Sequence, residues 1–139
     1  MSNIWTYFKP ADFFNPETMD KNLLDKLLLF REDLKSAINI TSSNKPDGHS
    51  TDSFHYKNMA TDCTVKNNDK LLIFLTAIKY FNGVGYYTGG FWHFDVRLEP
   101  MYWISKCDAS NNPIDYVYHN NPNEFNQRFA DYICDLKVA

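Results

Sequence analysis

"FWHFDVR", residues 91–97, is the stretch on which the reading of the fold turns. Side chains alternate between the two faces of a β-strand. On that rule His93, Asp95 and Arg97 share one face, and Trp92, Phe94 and Val96 share the other. An apolar, largely aromatic face belongs on a core, with Trp92 as core or pocket floor. A face of histidine, aspartate and arginine belongs at a surface or a site. The chain therefore contains a half-buried strand whose polar side carries chemistry.

Working outward, "GVGYYTGG" (83–90) reads as a second strand piece, joined to the first near Gly89 and Gly90. "MYWISKC" (101–107) reads as another strand, and "ASNNP" (109–113) as a turn. "MATDCTV" (59–65) has strand character, as does the short β-branched "AINIT" (37–41). Between these two lies "SSNKPDGHSTDSF" (42–54), a loop by its Ser, Asn, Pro, Asp and Gly content. Leu23, Leu24, Leu27, Leu28 and Leu34 recur at helical spacing and predict a helix over 20–35 with Asp20 as its N-cap. A second helix is predicted over 67–81, capped by Asn68 or Asp69. It is apolar nearly all round and so should be buried. A closing helix is predicted over 123–136. There is no internal repeat and no low-complexity linker. The expected fold is α+β: a single domain over 1–139, with a small, mainly antiparallel sheet flanked by helices.

Bulk composition narrows the function classes. A chain of 139 residues with 44% hydrophobic and 17% aromatic content can fill one core. A net charge of −3 and scattered Lys and Arg give no attraction to nucleic acid or anionic lipid, so no nucleic-acid partner is expected. Cys63, Cys107 and Cys134 are widely spaced with no CxxC, which argues against a thiolate zinc site and suggests a reducing compartment. The opening residues lack a signal-peptide pattern, so synthesis is expected to leave the protein in the cytoplasm. The longest apolar run, "LLIFLTAI" (71–78), is too short to span a bilayer, and a monomer without a transmembrane segment is expected.

The other chemically loaded stretch is "SFHYKNMATD", residues 53–62. Ala60 and Asp62 share a face of their strand. If that strand neighbours the one at 91–97, Asp62 and His93 meet on one surface and His55 joins them from the loop. Asn58 tolerates the left-handed geometry a turn there would need. Two histidines, an aspartate and a water make a plausible catalytic zinc set. Such a metal activates its water and polarises a carbonyl, enough for amide hydrolysis without a covalent intermediate. Two histidines and two aspartates in strand and loop contexts are more often unrelated structural side chains than a site, and spacing alone does not decide for the metal. Of the other histidines, His49 reads as a loop residue and His119 as a surface turn residue.

"SFHYKNMATD" resembles the Ser-x-His-x-x-Gly-x-Ala-x-Asp element of the zinc D-Ala-D-Ala carboxypeptidase family, which also contains peptidoglycan endopeptidases. "GVGYYTGGFWHFDVR" (83–97) is similar to the Gly-x-Gly-Tyr-Tyr … His-x-Asp-x-Arg ending of a phage and bacterial branch of that family. "YFKPADFFNP" (7–16) resembles the start of the domain, and "AINITSS" (37–43) the strand before its substrate loop. The resemblance covers roughly residues 5–105. It implies Zn2+ held by His55, Asp62 and His93, and hydrolysis of amide bonds in peptidoglycan stem peptides. For a chain without a signal peptide, that implies delivery to the cell wall by phage lysis or virion machinery, or trimming of recycled stem peptides in the cytoplasm.

Three positions depart from the family pattern. Asn58 replaces a glycine. Lys45 stands in the loop where many relatives have an arginine that grips a peptide carboxylate, and it supplies a point charge rather than a fork. Gly90 stands where other relatives place an acidic general base, three residues before the final histidine. Asp95 is the nearest acidic substitute and is expected to be the base. It could also orient a ligand, or be a ligand itself with His93 as the acid-base. Arg97 either pairs with Asp95 or binds substrate. Tyr86 or Tyr87 either donates to an oxyanion or packs on the core, and of the two Tyr87 is the one expected to bind substrate. Ser53 reads as a turn residue. The same departures make a second expectation reasonable: a binding or virion structural module of this fold without turnover.

Overall fold

The structure, a computed structural model, describes residues 3–45, 53–55, 57–110 and 112–119, with backbone alone over 113–119. Six strands form one sheet: β1 (Ile38–Ser42), β2 (Ala60–Val65), β3 (Gly83–Tyr87), β4 (Phe91–Asp95), β5 (Met101–Cys107) and β6 (Pro113–His119). Their order across the sheet is β1-β2-β4-β3-β5-β6. All neighbours are antiparallel except β3 and β5, which run parallel. With the two α-helices among the described residues this is an α+β fold with a mainly antiparallel sheet, as the sequence predicts.

The β3–β4 hairpin closes through residues 88–90. The amide of Gly90 donates to the carbonyl of Tyr87 at 2.9 Å, and Gly90 has φ of 101°, a conformation costly for any residue with a Cβ. The chain then crosses past the end of β3 to reach its far side. Asn82 pins that crossing: its Nδ2 donates to the carbonyls of Arg97 (2.9 Å) and Leu98 (3.1 Å), and its own carbonyl accepts from Met101 (2.8 Å).

Helix α1 (Lys21–Leu34) starts at Asp20, whose side chain accepts from the Leu23 amide, and ends at Lys35 in left-handed geometry with φ of 55°. Helix α2 (Lys70–Ala77) starts at Asp69, which accepts from Leu72. Both helices pack on one face of the sheet. Leu23, Leu27 and Phe30 of α1, and Ile73 and Phe74 of α2, are buried there with Val84, Trp92, Phe94 and Tyr102. The Phe30 ring lies 4.9 Å from Phe94, and Phe74 lies 5.8 Å from Tyr102. The apolar face of "FWHFDVR" is thus the core face, which leaves the opposite face for the polar residues.

Several elements differ from expectation. The second helix is shorter than 67–81: tighter turns follow Ala77, with Lys79 bonded to Thr76 and Tyr80 to Ala77. It is not buried all round either, since Leu72 and Leu75 are exposed. The helix lies on the outside of a two-layer fold, and among the described residues nothing covers its outer side. Strand β6 lies where the sequence predicts no strand, and His119 ends it instead of lying in a turn. The predicted helix at 123–136 and His49 lie outside the described residues. Three short 3-10 turns, at Ile4–Thr6, Pro10–Asp12 and Pro16–Thr18, form the N-terminal segment and bury Ile4, Phe8, Phe13 and Met19 in the core.

Candidate metal centre

The register between β2 and β4 builds the centre. Asp62 pairs with His93, and Ala60 with Asp95, so the side chains of Asp62, His93 and Asp95 emerge on the face away from the helices. On the other flank of β4, Gly83 pairs with Asp95 and Gly85 with His93. A Cβ at Gly83 would collide with the Asp95 carboxylate, and one at Gly85 with the Trp103 indole. These glycines make room for the groups behind the site.

His55 arrives from the loop before β2. Its turn is held by three backbone bonds: Lys57 to Phe54 (3.2 Å), Asn58 to His55 (3.2 Å) and Met59 to Phe54 (3.0 Å). Asn58 has φ of 61°, the left-handed geometry that its place in the sequence suggested. Ser53 Oγ accepts from the His55 amide at 3.2 Å, which gives that turn residue a structural task.

Three ligand atoms converge: His55 Nε2, Asp62 Oδ1 and His93 Nδ1 all lie within 4.8 Å of one another. Each ring nitrogen is 3.2 Å from Asp62 Oδ1. The far side of each ring decides what these atoms are. His55 Nδ1 is 2.7 Å from the carbonyl oxygen of Ser43, which can only accept, so this nitrogen carries the hydrogen. His93 Nε2 is 2.6 Å from Asp95 Oδ2, a carboxylate held by Arg97, so it too carries the hydrogen. In neutral rings both inward nitrogens are then lone pairs, and both face a carboxylate oxygen. Three lone-pair atoms at this separation require a positive charge between them, either a proton on a ring or a cation. Two imidazoles and a carboxylate, each histidine oriented from behind by an acceptor, are the donor set of a borderline transition metal. This group could hold a metal ion.

The charges follow the same logic. Burial opposes ionisation of Asp62, but the His55 and His93 rings against Oδ1, which bond to it when their inward nitrogens are protonated, outweigh it and hold the carboxyl well below its usual range. Burial likewise opposes a charge on His93, yet Asp62 and Asp95 on its two sides push it up to about 9. Asp95 is 0% exposed; there too burial is overcome, by Arg97 first and then His93, and the carboxyl is held low. Asp62 keeps 16% of its side chain exposed against 2% for His55 and 8% for His93. The centre is therefore reached from solvent on the Asp62 side.

Asp95 sits where a base would be poorly placed. Its Oδ1 accepts from Arg97 Nε (2.8 Å) and the Arg97 amide (3.1 Å), and its Oδ2 from Arg97 Nη2 and His93 Nε2, both at 2.6 Å. It stands at the opposite end of the His93 ring from Asp62. That geometry suits an orienting partner of His93, and neither a proton acceptor beside the three ligand atoms nor a ligand among them. Gly90, with φ of 101°, puts no acid three residues before His93, and a side chain there would be strained by the backbone although the space around it is open.

Arg97 does pair with Asp95, and its guanidinium also lies between the rings of Phe54 (4.4 Å) and Trp103 (5.2 Å). Tyr87 is on the site face but stacks on Phe91 at 4.4 Å, and its hydroxyl accepts from Trp103 Nε1 at 3.1 Å. Tyr86 faces the core against Trp92. Lys45 is exposed just beyond Asn44. Residues that sequence reasoning missed are Ser43, Asn44, Phe54 and Trp103. Trp103, whose ring is 5.0 Å from that of His93, had one available signal, its alternation within "MYWISKC", but which strand lies beside it is a long-range matter.

Comparison of the chain with protein-family models, with curated proteins and with solved structures found no match.

Proposed function

We propose that this chain is a zinc-dependent peptidase that hydrolyses amide bonds in peptidoglycan stem peptides, as a D-Ala-D-Ala carboxypeptidase or an endopeptidase. The observation that carries the reading is the convergence of His55, Asp62 and His93, with both rings held from behind so that their inward nitrogens face the same Asp62 oxygen. The motif resemblance around residues 53–62 and 83–97 supplies the substrate class. When bound, zinc supplies Lewis acidity toward a carbonyl and a water activated near neutral pH. The chain's own residues supply the rest. Ser43 and Asp95 fix the tautomers of the two histidines, and Arg97 keeps Asp95 ionised. Arg97 and Lys45 are the cations assigned to peptide carboxylates, and Tyr87 is the hydroxyl assigned to substrate contact. Among the described residues no helix is long and apolar enough to cross a membrane. Action at the cell wall belongs to this proposal.

One observation favours a second reading, a binding or virion structural module of the same fold. Of the acids on the site face, Asp62 is in the ligand set and Asp95 is buried with both oxygens engaged, so neither is a ready proton acceptor. Metal analysis of protein purified without chelator, followed by a stem-peptide digest, tests both. Close to one zinc per chain with cleavage supports the peptidase. Zinc without cleavage supports the module, and no zinc overturns the metal reading.

A further inference from the structure

His55 is the one proposed ligand that no strand carries, so its position depends on what holds its turn. Backbone bonds close that turn locally, and Ser43 holds the ring from behind. A third restraint comes from the neighbouring residue. Asn44 is 7% exposed, and its Nδ2 is 2.9 Å from the side-chain oxygen of Asn58, the left-handed residue at the end of the turn. The same Nδ2 reaches the carbonyl of Asn15 and the hydroxyl of Thr18, both at 2.9 Å. Asn44 Oδ1 accepts from the Asn15 amide at 3.0 Å and from Ser43 Oγ at 3.3 Å. Ser43 Oγ in turn accepts from the Phe14 amide at 2.8 Å. The carbonyl of Asn58 accepts from the amide of Asp20, the cap of α1, at 2.8 Å.

A glycine at position 58 would satisfy the backbone. Asparagine there adds a side-chain oxygen, and that oxygen meets a buried amide. A buried amide engaged at both ends restricts its surroundings to one arrangement. Here the arrangement joins the N-terminal segment, the end of β1 and the His55 turn.

We propose that Asn44 is a positioning residue of the metal centre: by tethering Asn58 to Asn15 and Thr18 it sets the place of the His55 ring, and so makes the N-terminal segment part of the site. The inference rests on the metal reading above.

Zinc affinity, measured by competition with a chromophoric chelator well below the melting temperature, tests it. The variants are Asn44→Ala, Asn58→Gly and the double variant, with metal-free melting temperatures recorded alongside. Asn58→Gly keeps the left-handed turn and removes only the tether. Each single change is expected to weaken zinc binding about tenfold or more, the usual effect of losing a group that orients a ligand. The double variant should be no weaker than Asn44→Ala, because both act through one bond. A purely structural role would lower the metal-free melting temperature and leave the affinity unchanged, and that result in Asn58→Gly would overturn the proposal. Should Asn44→Ala fail to fold, Asn58→Gly decides alone. Wild-type protein that binds no zinc overturns this proposal together with the metal reading. Wild-type protein that binds zinc, beside variants that bind it as tightly, overturns this proposal only.

Discussion

His93 and Asp95, two residues apart on one strand, are joined by a 2.6 Å hydrogen bond from Nε2 to Oδ2, and this bond turns the other ring nitrogen toward Asp62. Strand alternation puts both side chains on one face. The imidazole then bridges two carboxylates, one at each end.

Asp95→Asn should therefore act on metal binding. An amide at position 95 pairs poorly with Arg97 and no longer demands the hydrogen on Nε2. Zinc affinity is expected to fall about 10–100-fold. Were Asp95 a general base, zinc would stay bound and turnover on stem peptides would drop by about 10²–10⁴-fold instead. A zinc titration and a peptide digest on the same preparation separate the two outcomes.

Removing the metal should leave the fold standing. The core lies on the helix side of the sheet and contains none of His55, Asp62 or His93. Protein treated with chelator should melt cooperatively, at a lower temperature than the zinc form. The difference at 100-fold excess of free zinc over its dissociation constant is about 2.7 kcal/mol. A chelated chain with the circular dichroism of a random coil would contradict the separation of core and site.

Zinc affinity should rise with pH. In the metal-free protein the His93 pKa is raised from 6.5 to about 9, so near neutrality this ring holds a proton that the metal must displace. Apparent affinity is expected to climb about tenfold per pH unit from this group up to about pH 9, then level. The sign for stability is opposite. A raised folded-state pKa gives the metal-free chain a contribution that is full below pH 6.5 and lost as the pH rises through about 9. Chelator competition and thermal melts across this range check both trends, and an affinity flat from pH 7 to 9 would refute the first.

Gly83→Ala should damage the site from the rear. The new methyl group would meet the Asp95 carboxylate, which has no room to retreat because it is fully buried. Overpacking of this kind costs typically about 1–3 kcal/mol. Displacing Asp95 should also weaken zinc, in the manner of Asp95→Asn. Gly85→Ala meets the Trp103 indole and should lower stability, with a smaller effect on the metal. Denaturant unfolding and zinc titration on the two variants compare the effects; zinc bound by Gly83→Ala as tightly as by wild type would argue against Asp95 as the support of His93.

Local chemistry was enough for α1, whose leucine spacing and Asp20 cap identify it to within a residue at each end, and for the strands that contribute Asp62 and His93. Alternation alone put His93, Asp95 and Arg97 on one side, because a strand allows a side chain only two directions. The roles within that set are a different matter. Whether Asp95 faces the ligand atoms or backs His93 depends on ring orientation, on the space above Gly83 and on Arg97 folding back between Phe54 and Trp103. Trp103 arrives through the parallel pairing of β3 with β5, and Asn44 reaches Asn15 across 29 positions of chain. Such contacts are set by the sum of packing over the whole domain, and a local window of sequence carries no term for them. Sequence by itself determined which residues were available to the site, since periodicity and capping act within a few residues. Tertiary structure decided which of them meet and which only hold the others in place, because those distances depend on how distant strands and loops pack together.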